Sequence, residues 1–408
     1  MIKHIYLDNA ATTPVDEVVL NEMLPFFTDV YANPASQYYL GRQASEAVEN
    51  ARKRVADVLG CAPTEVYFTS SGTEANNWAI RGVAFANKDK GNHIITTKVE
   101  HHSVLNVCKQ LQKEGFEVTY LDVDSDGQIC LKQLKDAIKD TTILVSIMAA
   151  NNEVGTLYPI KEIGKVIAKA NKDAKRSEPS HKIYFHTDAV QAIGAVKICV
   201  KECHIDLLSL SAHKINGPKG CGALVVRNGV RVGKLIYGGA QERNKRAGTH
   251  NMAGIVGLGK AIELAEANRE KNAKDIAKNR DYLIQQIRQH IPYTRLNGCA
   301  KERLPNNVSF CFYFIEGEGM LIHMDLLGIY CSTGSACASG SLAASHVLVA
   351  MGVPIELAHG SIRFTLSKKT TKEELDITVE KLKGIVEKLR AISPLYTKEA
   401  RARLNDKC

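Results

Sequence analysis

The sequence predicts an α/β fold, in which a mostly parallel sheet is covered by helices on both faces and a smaller α+β domain follows. The first observation is that strand-like and helix-like segments alternate from residue 66 to 227, which is typical of parallel sheets. The second is that this alternation stops after Gly248. The third is the length of 408 residues with 45% hydrophobic content, which suffices for a large core and suggests two or three domains.

The elements before Gly248 follow from periodicity and turn residues. Apolar side chains recur at helical spacing over 44–59, and Gly60 ends that helix. The short strand 66–69 leads into a helix that runs through Trp78. The remaining predicted strands lie at 93–97, 117–121, 142–149, 183–186, 205–210 and 223–227, with helices at 103–114, 131–138 and 160–172. The polar insert 171–182 predicts an exposed loop.

The elements after Gly248 no longer alternate strictly. Residues 252–290 form long helical patterns rich in Ala, Glu, Lys and Gln. The later predicted elements are strands at 307–314, 329–332 and 362–366, and helices at 318–327 and 372–392. We therefore predict a large domain over 15–257 and a small α+β domain formed by 1–14 and 258–408.

Composition narrows the classes of function. The formal charge of +9 is modest, and basic residues are scattered over predicted helix faces, so we expect no nucleic-acid partner. No segment approaches the roughly 18 apolar residues that a membrane-spanning helix needs, and we expect no membrane association. The N-terminal residues carry no apolar signal region and no Arg/Ser-rich presequence. These features predict a cytoplasmic protein.

The eleven cysteines indicate a reducing compartment. Their number is odd, and several, namely Cys108, Cys130 and Cys311, lie inside predicted apolar strands or helices where thiols act as small hydrophobic groups. A disulfide framework is therefore not expected. Cys199 and Cys203 have a spacing that metal ligands can show, but no second pair completes a site, so we interpret them as structural.

Lys214 stands where a predicted buried strand gives way to a glycine-rich loop. The strand 205–210 delivers the chain to Lys214, and Gly217, Pro218 and Gly220 follow. Burial at such a strand end disfavours the ammonium ion and favours the neutral amine, which can form a Schiff base with an aldehyde. The alternative is an ordinary surface lysine, which is the better interpretation for Lys214 alone. The other candidate residues are what favour the Schiff-base role.

A phosphate site is predicted where the strand 66–69 passes into the next helix. Ligands of parallel sheets bind beyond the carboxyl ends of the strands. Gly72 allows close approach there, and the free N–H groups beside Gly72 and Thr73 favour an anion. The alternative is an ordinary helix cap by Ser71, with Glu74 complementing the helix dipole.

Three further polar residues lie at predicted strand ends. Asp188 ends a strand, and an inward carboxylate there needs a positive partner, such as a protonated ring nitrogen. Its alternative role is a cap for a helix over 189–194. His101 and His102 follow the strand 93–97; one ring can stack on a flat cofactor, while the other can simply be solvated.

Two residues of the C-terminal half are candidates for substrate binding or catalysis. Cys337 lies in a loop over 332–341 in which six of ten residues are Gly or Ser, so its thiol is a poor core residue and a plausible nucleophile. Arg363 lies in an apolar strand, where its guanidinium needs a carboxylate. That carboxylate can belong to a substrate or to a structural ion pair.

Together these motifs resemble the cysteine desulfurases of the NifS/IscS type. The motifs are L-D-N-A-A-T-T-P at 7–14, N-P-A-S at 33–36, S-G-T-E-A-N-N at 71–77, E-H-H-S-V-L at 100–105, N-N-E-V-G at 151–155, H-T-D-A-V-Q at 186–191, S-A-H-K at 211–214 followed by G-P-K-G-C-G at 217–222, G-G-A-Q-E-R-N-K-R-A-G-T at 238–249 and S-T-G-S-A-C-A-S-G-S at 332–341. The resemblance runs in order from residue 5 to about 394. It implies the fold-type I, aminotransferase class V group of pyridoxal phosphate enzymes, and the long cysteine loop implies the first of the two desulfurase classes.

The resemblance also implies how the cofactor is held. Lys214 would carry it as a Schiff base and then move the substrate Cα proton, and Asp188 would pair with the ring nitrogen. His101 would stack on the ring and assist proton transfer. Gln191 and Asn152 would contact the ring hydroxyl. The phosphate ligands would be Thr73, Ser211 and His213, joined by Thr249 from a second subunit, so a homodimer is implied.

For the substrate, the resemblance implies L-cysteine. Arg363 and Asn152 would hold its α-carboxylate. Cys337 would attack its sulfur, leaving a persulfide on the enzyme and releasing L-alanine. An iron–sulfur scaffold protein would accept the sulfur, and Cys337 is a candidate ligand for a transient cluster. The alternatives are a selenocysteine lyase, another class V aminotransferase-fold enzyme, or a non-catalytic protein that keeps the fold.

Overall fold

The computed structural model describes residues 4–173, 181–333, 344–398 and 402. Within them the strands are β1 (Ile5–Tyr6), β2 (Val66–Thr69), β3 (His93–Thr97), β4 (Glu117–Leu121), β5 (Thr142–Ser146), β6 (Tyr184–Asp188), β7 (Leu207–Ser211), β8 (Gly222–Val226), β9 (Thr294–Leu296), β10 (Asn307–Phe312), β11 (Ile329–Tyr330) and β12 (Ser361–Thr365). The helices are α1 (Glu17–Met23), α2 (Pro25–Thr28), α3 (Tyr39–Leu59), α4 (Gly72–Ala86), α5 (His102–Lys113), α6 (Leu131–Ala137), α7 (Ile160–Asp173), α8 (Gln241–Asn244), α9 (Met252–Ala267), α10 (Arg269–His290), α11 (Gly317–Leu326), α12 (His346–Ala350), α13 (Ile355–Ala358) and α14 (Lys372–Ile392).

A seven-stranded sheet forms the centre of the fold. Its strand order is β2-β8-β7-β6-β5-β3-β4. The neighbours from β7 to β4 are all parallel, and only β8 runs antiparallel to the strands on either side of it. Every residue of β3, β5, β6, β7 and β8 is buried, as expected for strands covered on both faces. The predicted mostly parallel sheet is therefore confirmed.

Apolar side chains pack on the two faces of this sheet. Successive residues of a strand point to opposite faces, and so Leu144 joins a cluster with Trp78 of α4, whereas Val145 joins a cluster with Leu59 of α3 and Ile262 of α9. All five of these side chains are at most 1% exposed. This two-sided packing is the helix-covered α/β arrangement that the sequence predicts.

The C-terminal half builds a second core on smaller sheets. Strands β12, β10 and β9 form an antiparallel sheet in that order, and β1 pairs in parallel with β11. A third apolar cluster combines Ile5 and Leu7 with Phe310, Phe364 and Leu382. The N-terminal residues thus pack with the C-terminal half. The proposed division into domains at 15–257 and at 1–14 with 258–408 stays a prediction.

The structure extends some predicted elements and adds short ones. Helix α3 begins at Tyr39 instead of residue 44, because Gly41 hides its first turn in the sequence; a Cβ there would lie 2.3 Å from the Ser36 carbonyl oxygen. Strand β5 ends at Ser146 instead of residue 149. Helices α1, α2, α12 and α13 have at most seven residues, too few to show a helical period.

Two further expectations concern cysteines and membranes. The nine cysteines within the described ranges are all free thiols. Cys108 and Cys311 are buried as predicted, whereas Cys130 is exposed, so the prediction of an apolar setting is wrong for that residue. No helix in these ranges combines the length and the hydropathy needed to cross a lipid bilayer.

Truncating Leu382 should destabilise the second core. Its side chain is fully buried in the cluster around α14, so Leu382→Ala should lower the free energy of unfolding by about 2–5 kcal/mol through lost burial and a residual cavity. Urea unfolding followed by circular dichroism measures this. The matched control, Leu395→Ala, removes a side chain that is 59% exposed and should change stability by less than about 0.5 kcal/mol; equal effects would contradict the packing described.

Candidate active site

A cavity of about 300 Å³ opens at the carboxyl edge of the central sheet. Residues from the ends of five strands line it, because β2, β3, β5, β6 and β7 all finish at this edge. The lining residues that the sequence predicts are Gly72, Thr73, His101, Asn152, Asp188, Gln191, Ser211, His213, Lys214 and Arg363. Ten predicted residues that are up to 291 positions apart in sequence, from Gly72 to Arg363, therefore meet at one cavity.

Lys214 reaches this cavity from a single 3-10 turn that directly follows β7. The turn is closed by hydrogen bonds from Ala212 N to Cys221 O and from Gly217 N to Ala212 O. The half-buried side chain extends to the N-terminal segment, where Nζ donates to the carbonyl oxygens of Ala10 at 2.5 Å and Ala11 at 2.8 Å. These contacts hold the amine at the cavity wall.

Asp188 is the last residue of β6 and is 6% exposed. Its Oδ2 accepts a hydrogen bond from Asn76 Nδ2 at 2.6 Å, and its Oδ1 accepts one from Val190 N at 2.9 Å. The predicted helix over 189–194 is a turn instead. The capping role considered for Asp188 is therefore limited to its hydrogen bond with Val190 N. Two neutral donors orient this carboxylate but leave its charge to be balanced by a cation in the cavity.

His101 is fixed in one orientation and one tautomer. It caps the N-terminus of α5, where Nδ1 accepts from Ser103 N at 3.1 Å and lies 2.8 Å from Ser103 Oγ. An accepting Nδ1 leaves the ring proton of the neutral form on Nε2. Burial lowers the pKa of His101; Asp188 opposes this shift, and Lys214 and His102 add to it. The ring is therefore neutral at pH 7.

The neighbouring His102 lies outside this cavity. It lines a neighbouring groove, which His101 also lines, and its ring packs at a tilt of 44° against that of His346, with ring centroids 4.6 Å apart. Of the two histidines, only His101 lines the cavity beside Lys214 and Asp188.

The end of the cavity near α4 presents donors for an anion. Ser71 caps this 15-residue helix by accepting from Glu74 N at 3.1 Å, so the predicted cap is confirmed, and Gly72 begins the helix. A Cβ at Gly72 would lie 2.7 Å from Val190 Cγ2, which explains the glycine. The buried hydroxyl of Ser211 has no hydrogen-bond partner among the described residues. An unpartnered hydroxyl beside a helix N-terminus fits a phosphate group.

His213 adds a neutral ring to this end. Its Nδ1 lies 3.1 Å from the Thr12 hydroxyl. Burial lowers the pKa of His213 to about 4, and the charges of Lys214 and Lys219 act in the same direction. At pH 7 the ring is therefore uncharged, and it can offer a hydrogen bond but no charge to an anion.

Arg363 reaches the cavity from β12 of the smaller sheet. Its side chain is 4% exposed and forms an ion pair with Asp8, with 2.8 Å between Nη2 and Oδ1. Nη1 donates to Asn152 O at 2.9 Å, whereas Nε has no partner among the described residues. The structural ion pair considered from the sequence is thus present, and the same guanidinium also lines the cavity.

Three supporting residues were not foreseen from the sequence. Asn76 binds both Asp188 and the Ser103 hydroxyl, Asp8 pairs with Arg363, and Glu100 lies fully buried behind His101. Glu100 Oε1 accepts from Thr97 Oγ1 at 2.9 Å and from Met148 N at 3.0 Å. Asp8, Asn76 and Glu100 lie in the quoted motifs at 7–14, 71–77 and 100–105, and this was the only signal for them in the sequence.

Two predicted site residues do not join this cavity. Thr249 is exposed and is not among the described residues that line the cavity. Cys337, predicted as the nucleophile and as a candidate cluster ligand, lies outside the described residues.

Comparison with known proteins places the chain among related sequences and structures. The family described as aminotransferase class-V matches residues 5–378. A protein of Methanosarcina thermophila named cysteine desulfurase IscS is 54% identical over 399 residues, which cover 98% of this chain and 96% of that protein. A solved NifS-like protein superposes with a TM-score of 0.88 at 39% identity, covering 95% of this chain and 100% of that one. The structure of SspA in complex with cysteine gives a TM-score of 0.78 at 35% identity, covering 90% and 100% of the two chains.

The buried Glu100 should make stability depend on pH. Burial raises the pKa of Glu100 to about 8, and the charge of Asp188 adds to this shift. The folded state then binds a proton that the unfolded state releases above about pH 4.5, so stability contributed by this group falls by roughly 1.4 kcal/mol per pH unit between about pH 4.5 and pH 8.

Glu100→Gln removes this titration. The variant should therefore gain stability relative to the unmodified protein as pH rises from 5 to 8, as measured by urea unfolding at both pH values. Glu387→Gln on the exposed face of α14 is the control and should show no such gain. A difference between Glu100→Gln and the unmodified protein that stays constant with pH would contradict the burial of a protonated carboxyl.

Proposed function

The chain belongs to the aminotransferase class V family, and we infer that it is a pyridoxal phosphate-dependent cysteine desulfurase. The observation that carries this inference is the meeting of Lys214, Asp188 and His101 with an anion-binding helix start in one cavity. The relatives named cysteine desulfurase, which match nearly the whole chain, support the reaction. The substrate is L-cysteine and the product is L-alanine, with sulfur retained on the enzyme.

The residues that would hold the cofactor fit its chemistry. Asp188 is buried and oriented by neutral donors, so it suits a protonated ring nitrogen. Gln191 and Asn152 are assigned to the ring hydroxyl. The phosphate is assigned to Gly72, Thr73, Ser211 and His213, and the unpartnered Ser211 hydroxyl supports this assignment. When bound, pyridoxal phosphate supplies an electron sink that makes the substrate Cα–H bond acidic.

Lys214 and His101 are the proton-handling groups. Lys214 would hold the cofactor covalently through Nζ and would act as the base for the proton on the substrate Cα. His101 holds its ring proton on Nε2, because Nδ1 is occupied by Ser103 N, so Nε2 can donate to a group in the cavity. The low pKa of His101 keeps the ring neutral and suited to passing a proton.

Arg363 and Asn152 are assigned to the substrate carboxylate. Arg363 is held by Asp8 and by the Asn152 carbonyl oxygen, and a guanidinium fixed at two nitrogens is preorganised for a carboxylate at the cavity. Glu153, next to Asn152, is fully buried; burial raises its pKa to about 7, opposed by a hydrogen bond from Ser345 and by the charge of Arg363.

Cys337 is the proposed nucleophile for sulfur. Its thiolate forms a bond to the substrate sulfur while the bond between that sulfur and Cβ breaks. The electron pair of the broken bond stays with Cβ, which takes up a proton and becomes the methyl group of alanine. The enzyme is left with a persulfide, so no external oxidant or reductant is consumed.

We propose that a second copy of the chain completes the phosphate site. Thr249 is exposed and is absent from the described lining of its own cavity, so the phosphate contact that the resemblance implies for it requires a partner subunit. Exposed large apolar side chains are also concentrated in one stretch of the chain, namely Val18, Leu20, Leu24, Phe27, Tyr31, Tyr38 and Tyr39. Such side chains favour burial against another protein surface, and we propose a homodimer.

The sulfur acceptor is proposed to be an iron–sulfur scaffold protein of the cytoplasm. A persulfide is an activated sulfur that a second thiolate can take up by exchange. Delivery to a scaffold would bring Cys337 close to the growing cluster and make it a candidate transient ligand, since thiolates are the usual ligands of such clusters.

Replacing the nucleophile tests the proposed reaction. Cys337→Ser should lower alanine and sulfide formation from cysteine by roughly 10³-fold or more, while the cofactor absorbance is retained. Cys130→Ser, an exposed cysteine, is the matched control and should keep full activity. Turnover of cysteine that survives in Cys337→Ser would contradict the persulfide route and favour an aminotransferase, and turnover of selenocysteine alone would favour a lyase.

Co-purification tests the proposed acceptor. Tagged enzyme isolated under native conditions after loading with cysteine should retain an iron–sulfur scaffold protein, identified by mass spectrometry. The Cys337→Ser variant is the control and should transfer no sulfur to that protein. Recovery of the sulfur only as free sulfide, with none transferred to a scaffold protein, would contradict the proposal that such a protein is the acceptor.

A further inference from the structure

The segment that carries Thr249 begins with an unfavourable backbone conformation. Glu242, Arg243 and Asn244 have φ values of 47°, 54° and 62°, so three successive residues with a Cβ adopt the left-handed conformation. L-residues visit this region rarely and as single residues. Such a run persists only where the surrounding structure over-determines it, and contacts that hold it should therefore be visible.

Glu242 is the centre of those contacts. Its side chain is 2% exposed and accepts hydrogen bonds of 2.8 Å from Arg52 Nη1, Arg52 Nη2, Phe68 N and His250 Nε2. Burial alone would raise the pKa of Glu242, but the bonds from Arg52 and His250 lower it to about 2. His250 follows Thr249 directly, so both ends of the segment 242–250 are tied to one carboxylate.

Two arginines of this segment, Arg243 and Arg246, bind strand β2 and the start of helix α4. Arg243 Nη2 donates to Val66 O at 2.7 Å. Arg246 forms a two-point ion pair with Glu74, with distances of 2.7 Å and 3.0 Å. Val66 and Phe68 belong to β2, and Glu74 lies in the first turn of α4. The segment is thus fixed to the strand and helix that carry Gly72 and Thr73 of its own cavity.

Thr249 itself is not among the described residues that line that cavity. It is exposed, whereas Glu242, Arg246 and His250 on either side are buried or half-buried. The contacts therefore hold the chain on both sides of Thr249 and leave this residue exposed, as a residue presented to another molecule requires.

We infer that Glu242 and Arg52 are positioning residues for the partner subunit's cofactor site, because they fix the left-handed turn that presents Thr249 across the dimer. This inference rests on the proposed homodimer in which Thr249 contacts the partner's phosphate. Its consequence is that a lesion at Glu242 weakens cofactor binding in the other subunit, not in the one that carries it.

Hybrid dimers in which only one subunit can bind the cofactor covalently show whether Glu242→Gln weakens binding in the partner subunit or in its own. Lys214→Ala removes the covalent attachment from one subunit, so the absorbance of bound cofactor reports only the other. In the first hybrid, Glu242→Gln shares a chain with Lys214→Ala, and the competent site receives Thr249 from the altered chain. In the second, Glu242→Gln is on the competent chain, which receives Thr249 from a chain with intact Glu242.

The readout is the dissociation constant of pyridoxal phosphate, titrated into cofactor-free hybrid dimers. We expect about a 10-fold or greater increase in the first hybrid, the size expected from one lost hydrogen bond to a charged group, and no more than a twofold change in the second. Glu65→Gln is the control: the Glu65 side chain is 4% exposed and pairs with the partly exposed Arg227 near β2, but among the described residues it has no hydrogen bond to the segment, so both hybrids should bind normally.

Weakening in the second hybrid alone, or equally in both, would overturn the inference, because a merely structural role acts on its own chain. Thr249→Ala in the same two hybrids tests the underlying dimer: an effect confined to its own chain would refute the exchange of Thr249, whereas an effect across the dimer that Glu242→Gln fails to reproduce refutes only the positioning role. If Glu242→Gln yields no folded dimer, Arg246→Gln, which cuts the tie to Glu74, gives the same comparison.

Discussion

The parallel pairing of β6 with β7 is the constraint on which the site depends. Asp188 lies opposite Ser209 in this pairing, so the carboxylate that ends β6 sits beside the strand that delivers Lys214 five residues later. Strands β2, β3 and β5 finish at the same edge, and the segments that follow them add the N-terminus of α4, His101 and Asn152 to the cavity. A one-residue slip would send each of these side chains to the opposite face of the sheet.

A connected polar network then fixes the orientation of these groups. Asn76 bridges Asp188 and Ser103, and Ser103 holds His101, so Asp188, His101 and helix α4 cannot move independently. Buried polar groups that are satisfied in this way are preorganised before a ligand arrives. Three polar atoms of the lining have no partner among the described residues, namely the Ser211 hydroxyl, Asn76 Oδ1 and Arg363 Nε. A bound phosphate is the group that would satisfy the Ser211 hydroxyl.

The fold and the first set of site residues could be predicted because they follow from local patterns. The strands over 66–69, 93–97 and 117–121 match the structure residue for residue. Positions at strand ends made Lys214, Asp188 and the pair His101 and His102 candidates, and the family resemblance chose His101 from that pair. Long-range partners could not be predicted in this way. Asn76 meets Asp188 across 112 positions and Arg52 meets Glu242 across 190, and no spacing rule encodes such contacts. The left-handed turn at Glu242 could not be predicted either, because it contains no glycine to indicate a positive φ.

The most direct measurement of the central claim is the identity of the lysine that carries the cofactor. Reduction of the purified enzyme with borohydride converts the Schiff base into a stable pyridoxyl-lysine, which peptide mass spectrometry can map. The account predicts a single modified residue, Lys214, in the peptide that follows β7. A modification at another lysine, or no modification in protein incubated with the cofactor, would contradict the assignment of this cavity as the active site.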